Sequence, residues 1–187
     1  MKHLKRFTIT GILFVLVTGT LSHFLYDWSG HNPIVGLFTP VNESIWEHMK
    51  LLFFPMLLYS IIMICKCKRQ YSHIASALFF GIITGTLLIP LFYYAYTHFL
   101  GKNYLVLDIS IFILSIVISF WLTYRLTLSN KLESYTLGLG ISVCILSLCF
   151  MLFTCHAPNT AIFQDPTADN CSPDSHSPDN SSNWRWA

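Results

Sequence analysis

Imidazole and carboxylate groups are concentrated in one short stretch of the sequence. Glu43 and Glu47 lie one helical turn apart, and His48 follows directly. Carboxylates and imidazoles serve as general acids and bases in catalysis and as ligands of divalent metal ions. The stretch lacks the HExxH spacing of a zinc peptidase, so it indicates acid–base or metal chemistry without naming a reaction.

Further candidates lie on neighbouring segments. His23 and Asp27 are four residues apart and share a helix face, where the carboxylate can orient or charge the imidazole. A carboxylate beside hydrocarbon, such as Asp108, is expected to be protonated or drawn to a neighbour such as His98 or His23. We take as catalytic candidates Glu43, Glu47, His48 and Asp108, as ligand-binding candidates His23, Asp27, Asn42, Tyr94 and His98, and as candidate ligands of a divalent metal ion His23, Glu47 and His48.

Each candidate also has a structural interpretation. Ser44 and Glu47 fit a capping box, in which the serine caps a helix and the glutamate returns to the serine amide. His23 and Asp27 fit an interfacial pair at a helix end, and Asp108 fits a structural pair or a side chain that reaches toward water. Convergence of four or more candidates within about 5 Å would favour a shared site, because charges at that range interact strongly. The six side chains to compare are those of His23, Glu43, Glu47, His48, His98 and Asp108.

The composition defines the elements that must position these groups. Of the 187 residues, 53% are hydrophobic and 11% are charged, whereas about 25% are charged in an ordinary soluble domain. The surplus of apolar surface requires lipid, and a helix is the element that satisfies its own backbone there. We therefore predict an all-α, polytopic membrane helix bundle over residues 1–163, with five transmembrane helices at residues 7–26, 45–65, 71–99, 104–126 and 134–155.

The basic residues divide unequally between alternate ends of these segments. Eight lie on one side, and three, Lys50, Lys102 and Arg185, lie on the other. Because positive charge marks the cytoplasmic side, the amino terminus is predicted to be cytoplasmic and the carboxyl terminus outside the cell membrane. The ionisable candidates then lie at the outer face. The formal charge of +2 is too small to indicate a nucleic-acid partner.

Small residues predict how the helices pack. Ala77, Gly81 and Gly85 recur at intervals of four in the third segment. Such a stripe allows another helix to approach closely, either within one chain or in a homo-oligomer. Pro55 and Pro90 lie inside segments, where each frees the carbonyl four residues earlier. The other expected partner of these helices is membrane lipid.

The end of the chain differs from the rest. From residue 164 to residue 187 it is rich in Ser, Pro, Asp and Asn, a composition that predicts a disordered outer tail. Cys155 and Cys171 would both face an oxidising exterior, where they could form a disulfide bridge.

Three short motifs carry a resemblance. They are HFLYDW at residues 23–28, GLFTPVNES at residues 36–44 and WEHMK at residues 46–50. With these motifs the chain resembles an uncharacterised bacterial family of small multi-pass membrane proteins, a domain of unknown function. The resemblance implies a bacterial origin and several spans, and it implies no activity. The family ends with a Phe-x-Asp-Pro segment, which is present at residues 163–166, and the remaining tail departs from the family pattern.

Three classes of function remain open. The first is a membrane protein that binds, senses or assembles through the ionisable cluster. The second is a membrane-embedded hydrolase or transferase that uses acid–base or metal chemistry on lipid or envelope substrates. The third is a small transporter subunit. The distribution of the polar groups argues against it, because they gather at one side instead of lining a path through the bilayer.

Overall fold

The computed structural model describes residues 2–129 and 132–164, and the regular elements in these residues are all helical. The α-helices are α1 (Lys2–Trp28), α2 (Pro33–Gly36), α3 (Ile45–Cys67), α4 (Ile74–Leu100), α5 (Leu105–Ser129) and α6 (Thr136–Cys155). Short 3-10 turns at Glu133–Tyr135 and Ala161–Phe163 precede and follow α6.

The predicted all-α fold is confirmed, and the five long helices correspond to the five predicted spans. Each of them is long and apolar enough to cross a membrane. The protein is therefore a multi-pass membrane protein. The main difference is in the connections: α4 begins at Ile74, three residues after the predicted start, and α2 was not predicted. The sequence did contain the signal for α2, because Asn32 caps it and Pro33 occupies its first turn.

Helix α3 is the centre of the bundle. In its most apolar stretch, 56% of the residues are buried, whereas the corresponding share in the α6 span is 11%. Helix α3 packs against both α1 and α4, and α4 packs in turn against α5 and α6. The buried core follows this arrangement and includes Leu52, Met56 and Ile82. Helix α6 therefore presents most of its surface outward, as expected for a helix beside lipid.

The small residues of α4 lie in the contact with α5. Ala77 is 1% exposed. A Cβ atom at Gly85 would overlap Ser119 Oγ, and one at Gly81 would overlap Thr123 Oγ1. The stripe is thus packed within one chain, which is the first of the two alternatives. Association of several chains through these residues stays a prediction.

A glycine of α1 accommodates a proline of α3. Pro55 has no N–H, so the carbonyl of Leu51 lacks its helical donor. Gly19 lies against that oxygen, and a Cβ atom at Gly19 would be 2.5 Å from it. Because Gly19 has no side chain, α1 can approach α3 at this level of the bundle.

Several predictions concern residues outside the described part of the chain. Cys171 and almost all of the predicted tail lie there, so the disordered tail and the bridge from Cys155 to Cys171 stay predictions. The described chain ends at Gln164, one residue after the second 3-10 turn.

The packing of α4 on α5 predicts a position-specific effect of adding a side chain. We expect Gly85→Leu to lower thermal stability, because overpacking a core typically costs about 1–3 kcal/mol. Gly138→Leu is the matched control, since a Cβ atom at Gly138 meets nothing within 4 Å. Thermal unfolding of the purified proteins in detergent micelles would measure both effects. Equal losses of stability in the two variants would contradict the described α4–α5 contact.

Candidate metal-binding site

The candidate site lies at one end of the bundle, where α1 ends and α3 begins. We call this the site end and define it by His23, Glu43 and His48. His23 is on the last part of α1, Glu43 is in the connection before α3, and His48 is in the first turn of α3. Folding must therefore bring the end of α1, with His23, to the start of α3, where Glu43 and His48 are close in sequence.

The start of α3 is fixed by hydrogen bonds close in sequence. Ser44 caps the helix, because its Oγ accepts the N–H of Glu47 at 3.4 Å. Asn42 Oδ1 accepts the N–H of Ser44 at 3.0 Å. The predicted capping box is thus half right: Ser44 is the cap, but Asn42 rather than Glu47 binds the serine amide. These contacts assign Asn42 a role in shaping the turn that carries Glu43.

Glu43 lies between the two imidazoles. Its Oε2 is 3.3 Å from His48 Nε2, and its Oε1 is 3.7 Å from His23 Nε2. The two imidazole ring centres are 5.4 Å apart. One ligand atom from each of the three residues lies within 4.8 Å of the others. One carboxylate and two imidazoles form one of the ligand sets that hold zinc in proteins.

His48 is oriented by its other ring nitrogen. Its Nδ1 is 2.9 Å from the carbonyl oxygen of Ser44, so Nδ1 carries the proton and donates it. This bond directs Nε2 toward Glu43 and matches the outer-shell contact that metal-binding imidazoles usually make. The buried Nδ1 of His23 has no hydrogen-bond partner among the described residues.

The dimensions of the cluster fit a small divalent cation. Zinc with ligands at about 2.0–2.1 Å in a tetrahedron places its ligand atoms about 3.4 Å apart. The two separations from Glu43, 3.3 and 3.7 Å, start from different carboxylate oxygens, and with one ligand atom taken per residue the three atoms lie within 4.8 Å of one another, so binding zinc would draw them closer together. The side chains are 30%, 46% and 31% exposed for His23, Glu43 and His48, which leaves access for a fourth ligand.

Glu47 does not join this cluster, because it is paired with Lys50. Both side chains are buried, and Lys50 is 0% exposed. Lys50 Nζ is 2.6 Å from Glu47 Oε2, 2.5 Å from Thr154 Oγ1, 3.0 Å from Gly36 O and 3.4 Å from Thr39 O. Removing an ammonium from water costs several kcal/mol, and such a set of acceptors offsets that cost. We call these contacts the Lys50 network.

The sequence did not identify Lys50 as part of the site end. From the sequence, Lys50 was only one of the basic residues on the predicted outer side. The available signal was its spacing from Glu47, since residues three apart are neighbours on a helix. Its contact with Thr154, more than one hundred residues away, had no sequence signal.

The other ionisable candidates are distributed around the same end. Asp27 Oδ1 is 3.2 Å from His31 Nε2, and both side chains are well exposed, so the expected contact with His23 is replaced by one with His31. The exposed side chains of Tyr94 and His98 lie outside the cluster. Of the six side chains compared, the structure gathers His23, Glu43 and His48, fewer than the four expected of a shared site.

Asp108 has a partner that the sequence did not indicate. The hydroxyl of Tyr96 donates a hydrogen bond to Asp108 Oδ1, so neither His98 nor His23 is its hydrogen-bond partner. Tyr96 joins the carboxyl end of α4 to the amino end of α5. The carboxylate of Asp108 is also near enough to act electrostatically on His48. Asp108 is therefore bonded to Tyr96 and is not one of the three clustered residues.

Comparisons with known proteins identify the family. No curated protein and no solved structure is significantly similar to this chain. A family described as "Family of unknown function (DUF6512)" matches residues 1–171, which include the five long helices and the whole candidate site. The chain therefore belongs to this family of unknown function.

Proposed function

We propose that this protein is a membrane protein that binds one divalent transition-metal ion through His23, Glu43 and His48. The main support is that their ligand atoms lie within 4.8 Å of one another although the three residues come from α1, a connection and α3. Zinc is the ion that best fits two imidazoles and one carboxylate. Iron(II) and manganese(II) accept the same donors and are the alternatives.

A metal ion satisfies the three groups better than protons do. Two imidazoles face a single carboxylate at Glu43. If both rings were protonated, one negative charge would serve two cations. A divalent cation instead uses both nitrogens and the carboxylate together. Ionisable groups so close to hydrocarbon usually serve a function, which supports the same interpretation.

We place the site at the outer face of the cell membrane, with the amino terminus in the cytoplasm. The excess of Lys and Arg at the opposite end of the bundle supports this orientation. Lys50 was one of three basic residues that counted against it. Lys50 lies buried inside the protein and not in an exposed loop at the membrane surface.

Metal-dependent hydrolysis or group transfer is the second candidate function. Catalytic zinc sites have three protein ligands and keep a fourth position for water. The partial exposure of His23, Glu43 and His48 supports an open position of this kind. Lipid or envelope material would be the nearest substrate at this depth. Turnover of an ester or phosphoester probe that requires both zinc and His48 would favour catalysis over binding alone.

The proposed site predicts one zinc ion per chain. We expect Glu43→Gln, His23→Ala and His48→Ala each to lower zinc affinity by more than about 100-fold, since even outer-shell partners contribute about 10- to 100-fold. Titration of the metal-stripped full chain in detergent micelles, with elemental analysis of bound metals, would measure affinity and stoichiometry. Parallel titrations with iron(II) and manganese(II) would distinguish the three metals.

The zinc titration has an internal control and a pH signature. His98→Ala should leave the affinity unchanged, because this exposed histidine lies outside the cluster. Zinc affinity should fall on acidification from about pH 7 to pH 5, because protons compete with the metal for imidazole nitrogens. Unchanged zinc binding in all three ligand variants would refute the site.

The proposed orientation predicts opposite locations for the two ends of α3. A reporter fused after Arg69 should be cytoplasmic, whereas one inserted near Asn42 should be external, since α3 crosses the bilayer between them. Paired alkaline phosphatase and fluorescent-protein fusions would measure this in cells. Finding both positions in one compartment would rule out this topology.

A further inference from the structure

The connection that carries Glu43 is attached to the interior by the Lys50 network. Lys50 Nζ donates to the carbonyl oxygens of Gly36, at 3.0 Å, and Thr39, at 3.4 Å. Glu47 Oε2 accepts the backbone N–H of Val41 at 3.1 Å. The two buried side chains therefore hold the backbone at three points between residues 36 and 41.

Glu43 lies directly after these attachments. Only Asn42 separates it from Val41, and the next residue, Ser44, is fixed as the cap of α3. Asn42 closes the turn through its bond to the Ser44 amide. The backbone on both sides of Glu43 is thus held in place, and this sets where its carboxylate can point.

Helix α6 completes the network from a distant part of the chain. Thr154, in its last turn, lies 2.5 Å from Lys50 Nζ and 3.4 Å from Glu47 Oε1. Trp46 brings this end of α6 to α3, since its ring centre is 4.8 Å from that of Phe150. The end of α6 therefore encloses the ion pair that holds the connection.

We infer that Lys50 and Glu47 are positioning residues that place the Glu43 carboxylate between His23 and His48. This inference rests on the proposed metal site. The two glutamates, one turn apart, have separate tasks: Glu43 faces the imidazoles, and Glu47 is held by Lys50 among buried groups. The ammonium of Lys50 also keeps Glu47 occupied, so that Glu47 does not compete for the metal.

Replacing Lys50 should weaken the metal site without removing a ligand. We expect Lys50→Met to lower zinc affinity about 10-fold, the lower end of the range for losing a group that bonds a ligand directly, because Lys50 acts through the backbone before Glu43. Zinc titration of the full chain in micelles would measure this. Gly85→Leu is the matched control, because it should destabilise the bundle at the α4–α5 contact and leave zinc affinity unchanged.

A double variant separates positioning from general stability. Lys50→Met combined with Glu47→Leu removes both buried charges, so it should unfold at a higher temperature than Lys50→Met alone. Its zinc affinity should stay as low as that of Lys50→Met, since the connection remains detached. Recovery of both properties together would mean that Lys50 acts on stability alone and would overturn the inference.

A metal-independent measurement keeps this inference distinct from the proposed function. Hydrogen–deuterium exchange over residues 36–44 should accelerate in Lys50→Met and in Glu47→Gln, and exchange in α5 should not. If the wild-type chain bound no zinc, the metal proposal would fail, and the exchange experiment alone would decide the positioning role. Unchanged exchange in a folded Lys50 or Glu47 variant would refute that role.

Discussion

A lipid bilayer offers no hydrogen-bond partners, so each polar group of the spans must find its partner inside the protein. Most buried hydroxyl groups do so locally. Thr8 donates to Leu4 O, Ser60 to Met56 O and Ser119 to Ser115 O, each one helical turn back. The buried hydroxyls of Thr86 and Ser115 are exceptions, with no partner among the described residues. A lysine ammonium has no such local solution, because it needs several acceptors together.

The Lys50 network is therefore the most demanding arrangement at the site end. Removing one partner of a buried ion pair costs about 3–5 kcal/mol, whereas replacing both partners with apolar groups is often neutral. The pair is thus weak evidence for stability as such. Its contacts with Gly36, Thr39 and Thr154 indicate a positioning role, because they attach the connection before α3 to two helices. An apolar pair would fill the same space without fixing the connection.

The sequence predicted what depends on neighbours along the chain and missed what depends on folding. The five spans followed from runs of about 20 apolar residues, and the Ser44 cap followed from its position before such a run. Helical spacing placed His23 and Asp27 on one face, but it could not show that Glu43 would be the partner of His23. Asp27 pairs instead with His31, four residues along the chain, a local spacing that the sequence did contain. Tyr96 and Thr154 reach their carboxylate and ammonium partners from other helices. The side chains of the site end come together because α1 and α6 pack on α3, and no local sequence pattern encodes that packing.

The two glutamates show why residue type and spacing alone could not assign the metal ligand. Glu43 and Glu47 are both close to His48 in sequence, and the sequence favoured Glu47 as the metal ligand. The structure buries the Glu47 side chain to 4% exposure beside a cation, whereas that of Glu43 remains 46% exposed beside two imidazoles. A carboxylate already neutralised by an ammonium is a poor ligand for a second cation. Burial and charge thus place Glu47 in the scaffold and make Glu43 the carboxylate of the proposed metal site.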